Sequence, residues 1–383
     1  MARRERGLIG KLMVFVLTVL AVIGVIAMAL SVINAFINPQ HFIFTTVFGL
    51  AFWEIFLYNV LVFFLLMMLR SRCAWLSVIA LLISIPGFNK SFSFGKKSEA
   101  PDSFRIMSYN VHIFNHVDGE TKKEQFANQV MDLVRQQDPD ILCCQEFRDF
   151  KSGVSRKKCI EDFAQAIGLP YFYYNRKSNY GGNVVFSKYP ITKVDENSGF
   201  GQEHTYGVMV SVDAGDKGRF YVANVHLLSY RITDTEIDIL TNHEQRQEGF
   251  DSLGRNILKK LNYAFQRRSD ELQRVLNGMP EVDAPVLICG DFNEPPLSYN
   301  YQQMRKAGFV DTFTKAGRGI KPTYAGKLPL LRIDYIWADS QVAPLNYKRI
   351  RQKASDHYPI LLDFFVNSIN HTVTEPIKTS NTI

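Results

Sequence analysis

Two long apolar runs open the chain and limit its fold more than anything that follows. From Leu12 to Ile37 no residue is charged, and from Phe42 to Leu69 only Glu54 and Asn59 interrupt an apolar and aromatic stretch. A helix rising about 1.5 Å per residue crosses a hydrocarbon core of about 30 Å within either run. Lipid offers the backbone no hydrogen-bond partners, so helices are the predicted form. A third run, Ala74 to Phe88, is shorter and cut by Pro86-Gly87, and is counted as a third span. Residues 1–89 therefore read as a membrane anchor of two or three helices, about 12–37, 42–69 and 74–88. Met1 to Lys11 is charged like the start of a signal peptide. The apolar run is too long for an h-region, however, and no small-residue cleavage site follows, so an uncleaved anchor is preferred.

Arg3, Arg4, Arg6 and Lys11 place the N-terminus inside, and Arg70 and Arg72 return the chain inside after the second run. Three spans put the remainder outside; two leave it cytoplasmic. Lys90, Lys96 and Lys97 weigh mildly against export. Glu54 and Asn59 are expected to hydrogen-bond between packed helices. The net charge of +7 suits an anionic partner, either phosphate esters or acidic lipid. The five cysteines contain no C-x-x-C pair or even-numbered framework, so neither zinc nor a disulfide scaffold is indicated.

After a polar linker at residues 90–103 the texture changes. Short β-rich runs, "FRIMSYNV", "DILCCQEF", "NVVFSKYPI", "GVMVSVD", "RFYVANVHLL", "PVLICGDF", "LRIDYIWA" and "HYPILLDFFV", alternate with helical patterns. One helix is expected to start at the capping box Thr121-Lys-Lys-Glu124 and to bury Phe126, Val130, Leu133 and Val134. A second carries Ile160, Phe163 and Ile167 and stops at Gly168; a third runs from Tyr299 to Lys306. Residues 232–279 read as an amphipathic helical insert, and 367–383 as a disordered tail. Continuously apolar strands covered by helices predict an α/β fold of two packed sheets with helices outside.

The chemistry sits where polar residues end the apolar runs. Asn110 ends the first strand and Glu146 the second; His226 follows "ANV", Asp291 and Asn293 follow "VLICG", Asp334 lies in "RIDYIW", and Asp356-His357 opens the last. Carboxylates with an amide make a hard oxygen site for Mg²⁺ or Mn²⁺, and His with Asp supplies proton transfer.

The stretches "SYNV", "QE", "YGGNVVFSKYPI", "NVHL", "GDFN", "RIDYIW" and "SDHYPI", in this order across 104–366, resemble the endonuclease/exonuclease/phosphatase superfamily. That group includes pancreatic-type deoxyribonucleases, abasic-site endonucleases, bacterial sphingomyelinases and inositol polyphosphate 5-phosphatases. The resemblance implies a four-layer α/β/β/α sandwich with its site at one edge, here preceded by two or three transmembrane helices. It implies a Mg²⁺- or Mn²⁺-dependent phosphoric ester hydrolase, in a membrane-anchored bacterial-type member of an inner or cell membrane. Asn110 and Glu146 are similar to the metal-binding pair, with Glu146 the direct ligand. Asp291 is similar to the carboxylate that positions or deprotonates the attacking water, and Asn293 to the amide that orients it. His226 resembles the histidine facing the leaving group. His357, held by Asp356, resembles the histidine at the scissile phosphate. Asp334 is similar to the carboxylate supporting that histidine or to a second metal contact, and Asp356 joins the same metal set. Which group is the general base stays open.

The substrate is open as well: nucleic acid, or a lipid headgroup such as a phospholipid, sphingomyelin or inositol phosphate. "SRKK" (Ser155 to Lys158), Arg176-Lys177 with Tyr180, and Lys315 to Lys321 offer basic loops to a nucleic acid. Lys259, Lys260, Arg267 and Arg268 of the insert offer contacts to lipid, although packing on the sandwich is preferred. A non-catalytic binding module is disfavoured because every site residue type is present.

Overall fold

In a computed structural model, residues 7–42, 44–114, 120–174, 181–194, 207–230, 232, 236, 250–326, 330–352 and 354–366 are described. The apolar start forms α1 (Leu8–Ile33), α2 (Thr46–Leu50), α3 (Phe52–Met68) and α4 (Ala74–Ser91). α1, α3 and α4 bundle around Ala21, Val62, Leu66 and Ala74 at one end and Met28, Phe52 and Ala80 at the other. Asn59 donates to the Gly24 carbonyl at 3.2 Å and to that of Ile55 at 2.8 Å, the interhelical role expected of it.

Two boundaries differ from expectation. The second run breaks at Ala51, where φ −89° and ψ 22° leave the helical region, so its long helix has only 17 residues. The third run passes through Pro86 to Ser91, because Gly87 packs against Phe52 and Leu297 and tertiary contact offsets the hydrogen bond proline cannot make. Among the described residues, two helices, Leu8–Phe36 and Ala74–Ser91, are long and apolar enough to cross a membrane, and the apolar α3 is shorter.

Among the described residues, the remainder holds two six-stranded sheets and a small two-stranded one. In the first, β2 (Phe104–Asn110) and β3 (Ile141–Phe147) run parallel at the centre. β5 (Gly182–Ser187) and β4 (Tyr171–Tyr174) flank β3; β14 (Ile360–Val366) and β13 (Val342–Arg349) flank β2. In the second, β8 (Arg219–His226) and β9 (Val286–Asp291) are the parallel pair. β7 (Gly207–Asp213) and β6 (Ile191–Lys193) lie on one side; β12 (Asp334–Ala338) and β10 (Val310–Asp311) lie on the other.

The continuous apolar runs are explained by burial on both faces. Phe104 and Ile106 of β2 and Ile141 and Cys143 of β3 point into the core between the sheets, with Leu287 and Cys289 of β9. Alternate residues Met107, Tyr109, Leu142 and Cys144 point outward to α5 (Glu120–Gln137) and α6 (Arg156–Ile167). On the far side Val286 and Ile288 meet Leu272 and Val275 of α7 (Phe250–Asn277) and Tyr301 and Met304 of α8 (Tyr299–Lys306). The expected four layers are present.

α6 is capped by Ser155 and ends at left-handed Gly168. α5 begins at Glu120, so Thr121 lies inside the helix and the capping box is not its start. "NVVFSKYPI" is not one strand: β5 and β6 belong to different sheets, and β5 ends at Ser187, ahead of Pro190. β13 escaped the sequence because Pro344 and a register shift before Asn346 break its pattern. The 90–103 stretch is tied down by β1 (Ser93–Phe94), which pairs with β11 (Arg318–Gly319), and by Ser98 N–H donating to Leu345 O at 2.9 Å. The expected tail at 367–383, most of 231–249, and Arg176, Lys177 and Tyr180 lie outside the described residues.

Candidate active site

Four central strands deliver their C-terminal ends to one edge of the sandwich. Parallel register sets Asn110 beside Gln145 in the first sheet and His226 beside Asp291 in the second. Antiparallel β12 then starts with Asp334 opposite Asp291. Two glycines permit the close approach. Gly290 has φ +142°, and a Cβ there would lie 1.8 Å from Val225 O, so only glycine lets β9 reach β8. Gly181, at φ +101°, backs onto the backbone of Glu146, which itself has φ 54° at a β-bulge between Cys144 and Phe147. The bulge lets Glu146 leave the strand's alternation while Gln145 stays buried, donating to Asn224 Oδ1 at 2.7 Å.

Asp291 is the centre. Its Oδ1 accepts the Asn293 N–H at 2.8 Å. Its Oδ2 accepts from Asn110 Nδ2 at 3.0 Å and lies 3.6 Å from His357 Nε2 and 3.8 Å from His226 Nε2. Asn110 also donates to Glu146 Oε1 at 3.2 Å, and that oxygen is 3.5 Å from His226 Nε2. Asn293 donates from its side chain to Leu227 O at 3.0 Å. Asn110, Asp291, Asn293, Asp334 and His357 are buried, whereas Glu146, His226 and Asp356 remain partly open.

Two histidine–carboxylate pairs frame this centre, and one differs from expectation. His357 Nδ1 meets Asp334, at 2.9 Å from Oδ2. Asp356 instead meets His112, with Oδ1 2.5 Å from Nδ1. The swap follows from the turn before β14. Ser355 Oγ donates to Asn110 O at 2.8 Å and accepts the His357 N–H at 3.2 Å, so successive side chains leave the turn in different directions. Asp356, expected to hold His357 and to join the metal set, holds the neighbouring histidine. The Asn110 oxygen accepts the His112 N–H at 3.0 Å and its NH₂ faces the carboxylates, so ligation through that oxygen would require turning the amide.

Burial pushes the Asp291 carboxyl up to about 6, against the opposing charges of His357 and His226 and the bond from Asn110. For His357 burial works toward the neutral ring, but the charges of Asp334 and Asp291 and the Asp334 hydrogen bond outweigh it and raise the imidazole well above its usual range. Burial alone would raise Asp356; the His112 hydrogen bond and the charges of His357 and His112 pull it down to about 2. The Asp356 bond in turn raises His112.

The donor set fits a hard divalent cation. Among the described residues, Asp291, Asp334 and His357 offer ligand atoms within 4.8 Å of one another. His226 Nε2 is buried between Glu146 and Asp291 with no hydrogen-bond partner among the described residues. Such a site leaves polar capacity for something beyond the chain.

Sequence reasoning missed His112, Ser355 and Thr323. His112 begins a turn in which His112, Ile113 and Phe114 have φ of 44°, 48° and 54°, a conformation disfavoured for such residues and concentrated at functional sites; "SYNVH" was its available signal. Thr323 Oγ1 accepts the N–H groups of Ile333 and Asp334 at 3.0 Å each, fixing the start of β12. Among the expected basic loops, Arg156 pairs with Asp149, Lys157 with Glu161 and Lys158 with Asp162. Arg268 is fully buried against Glu294 at 3.0 Å, which removes it from any lipid surface.

The endonuclease/exonuclease/phosphatase family profile matches residues 107–357, and one for a domain of unknown function matches 11–91. The uncharacterized protein YbhP of Escherichia coli K12 is 26% identical over 278 residues, covering 67% of this chain and 94% of that one. An endonuclease/exonuclease/phosphatase structure from Beutenbergia cavernae aligns with TM-score 0.46 and 17% identity, covering 69% and 72% of the two chains. The human Nocturnin catalytic domain with bound sulfate aligns with TM-score 0.43 and 17% identity, covering 69% and 93%. With its two-sheet fold and the family profile spanning all eight strand-end residues from Asn110 to His357, the chain belongs to the endonuclease/exonuclease/phosphatase family.

Proposed function

We propose that the chain is a membrane-anchored, Mg²⁺- or Mn²⁺-dependent phosphodiesterase. The observation that carries this reading is the convergence of Asn110, His226 and His357 on one buried oxygen of Asp291, within 3.0, 3.8 and 3.6 Å. Glu146 would hold the cation, which would supply neutralisation of phosphate charge. Asp291, with its carboxyl raised to about 6, is the base that takes a proton from water near neutral pH. The Asn293 N–H fixes its other oxygen. Protonated His357, held by Asp334, stabilises negative charge on the phosphoryl oxygens. The bond from water oxygen to phosphorus forms, the bond from phosphorus to the leaving oxygen breaks, and His226 protonates the leaving alcohol. The products are a phosphate monoester and an alcohol.

The anchor reading rests on direction as well as composition. Asn34 after α1 donates to Leu297 O at 2.7 Å, Phe52 at the start of α3 packs on Leu297, and Arg332 donates to Lys90 O of α4 at 2.8 Å. All three helices therefore present the catalytic-domain end in alternating directions, so the start of α1 at Leu8 and the Arg70–Arg72 turn lie together at the other. With those basic groups inside, the catalytic domain faces outside.

The reading is tested by assaying the full chain in nanodiscs with Mg²⁺ or Mn²⁺ on a chromogenic phosphodiester, DNA, RNA and phospholipid. Turnover of none, with the fold intact, would favour a binding module instead.

A further inference from the structure

The loop from β9 to α8 leaves the site and runs straight into the apolar helices. Every residue from Asp291 to Ser298 is buried. Within it Asn293 has φ 53°, a left-handed conformation that persists only where the surroundings hold it. Part of that hold comes from the catalytic domain: Tyr335 Oη donates to Glu294 O at 2.7 Å, and Arg268 Nε to the Glu294 carboxylate at 3.0 Å. The rest comes from the anchor.

Leu297 is seated in the helical bundle. Its side chain is 1% exposed, and among the described residues every other member of its apolar cluster belongs to α1, α3 or α4, with Met28, Phe52 and Ala80 at the centre. Its carbonyl accepts from Asn34 Nδ2 at 2.7 Å, while Thr45 Oγ1 donates to Asn34 Oδ1 at 3.2 Å. The amide is thus oriented from both sides, in a buried place where an unpaired amide is costly. Gly49 and Gly87 leave the room for this seat: a Cβ would lie 2.7 Å from Leu297 O at the first and 2.6 Å from Leu297 Cδ1 at the second.

Two further contacts converge on the same place. Arg332, just ahead of Ile333-Asp334, donates from Nη2 to Lys90 O of α4 at 2.8 Å, and Ile333 O accepts the Phe292 N–H at 2.9 Å. α7, which holds Glu294 through Arg268, packs Ile257, Leu261 and Phe265 on Val47 and Leu50. The anchor therefore touches the loop after Asp291, the segment before Asp334 and the helix that braces the first. A bare tether needs none of these contacts.

We propose that the apolar helices are a working part of the site, with Asn34 and Leu297 as positioning residues that hold the Asp291–Asn293 loop against Asp334 and His357. This rests on the phosphodiesterase reading and adds where the geometry of that centre is kept. Neither residue touches the reacting atoms; both act through the loop that Leu297 secures.

The test uses the full chain in nanodiscs with Mg²⁺ or Mn²⁺ and a chromogenic phosphodiester, below the melting temperature of every variant. Leu297→Ala and Asn34→Leu are expected to lower kcat by about 10- to 100-fold with KM changed by less than about 3-fold, the scale of a misplacement near 1 Å. Leu297→Met, which conserves volume, should regain most of the rate. Deuterium exchange across residues 292–298 should rise in the two impaired variants. Asn59→Leu, which breaks the bond to Gly24 O inside the bundle, is expected to lower the melting temperature and leave kcat unchanged. Unchanged kcat in Leu297→Ala and Asn34→Leu, or an equal loss in Asn59→Leu, would overturn the positioning role and leave the phosphodiesterase reading standing. A wild-type chain that hydrolyses no diester overturns that reading and the catalytic consequence drawn from it, whereas unchanged exchange across 292–298 in both variants overturns the seating of the loop itself.

Discussion

His357, just before β14 of one sheet, takes its carboxylate partner from Asp334 at the start of β12 in the other, 2.9 Å from Nδ1, while its chain neighbour Asp356 is committed to His112. The two pairs therefore have separable duties. Asp334 orients and charges the histidine that touches Asp291, and Asp356 braces the strained turn after β2.

Asp334→Asn is expected to lower kcat on a chromogenic diester by ~10²-fold or more, the scale of losing an oriented acid–base group, with little change in near-UV circular dichroism. Asp356→Asn should cost several-fold less in kcat and more in thermal stability. Equal kcat losses in the two variants would contradict the division.

The buried Arg268–Glu294 pair underlies the loop that carries Asn293, with Arg268 also donating to Leu228 O at 2.9 Å. Removing one partner leaves an uncompensated charge, at a cost of about 3–5 kcal/mol. Arg268→Met should lower the melting temperature sharply, and Glu294→Gln added to it should restore part of the loss. Additive losses in the double variant would show that the pair is not coupled.

Stability should fall with rising pH through one identified group. Burial pushes the Glu271 carboxyl up to about 7, against its hydrogen bond from Leu228 N–H and the charges of Arg268 and Arg267. Its folded value is above the ordinary carboxyl value of about 4.3, so between those values the folded chain binds more protons than the unfolded one. This contribution is full below the lower value and lost as pH rises through about 7. The expected size is about 1–3 kcal/mol between pH 5 and 8. Thermal melts of the full chain should show this slope reduced in Glu271→Gln; an unchanged slope would assign it elsewhere.

A reporter fused after Lys97 should read as external, because α1, α3 and α4 present alternating ends to the catalytic domain. A cytoplasmic reading would contradict three spans.

The strand-end residues were legible because parallel register brings them together without reference to any loop: His226 and Asp291 share one register position, and so do Asn110 and Gln145. Asp334 beside His357 was among the expectations, but the pairing of Asp356 with His112 was not legible, since it depends on how Ser355 turns the chain. Hydrophobic pattern predicted a packed insert, yet could not show that α7 also reaches the anchor. There Ile257, Leu261 and Phe265 meet Val47 and Leu50, and Gln40 donates to Asp270 at 3.0 Å. Contacts this distant in sequence leave no period to read. The crossing at Pro190 was hidden for a related reason: one apolar run supplied strands to both sheets.

The most direct measurement is hydrolysis of a chromogenic phosphodiester by the full chain in nanodiscs, with Mg²⁺, with Mn²⁺ and with chelator, beside the isosteric variant Asp291→Asn. The account predicts turnover that needs the cation, stops with chelator and falls by ~10³-fold or more in Asp291→Asn while its melting temperature is maintained. Turnover undiminished by chelator, or retained by correctly folded Asp291→Asn, would contradict it.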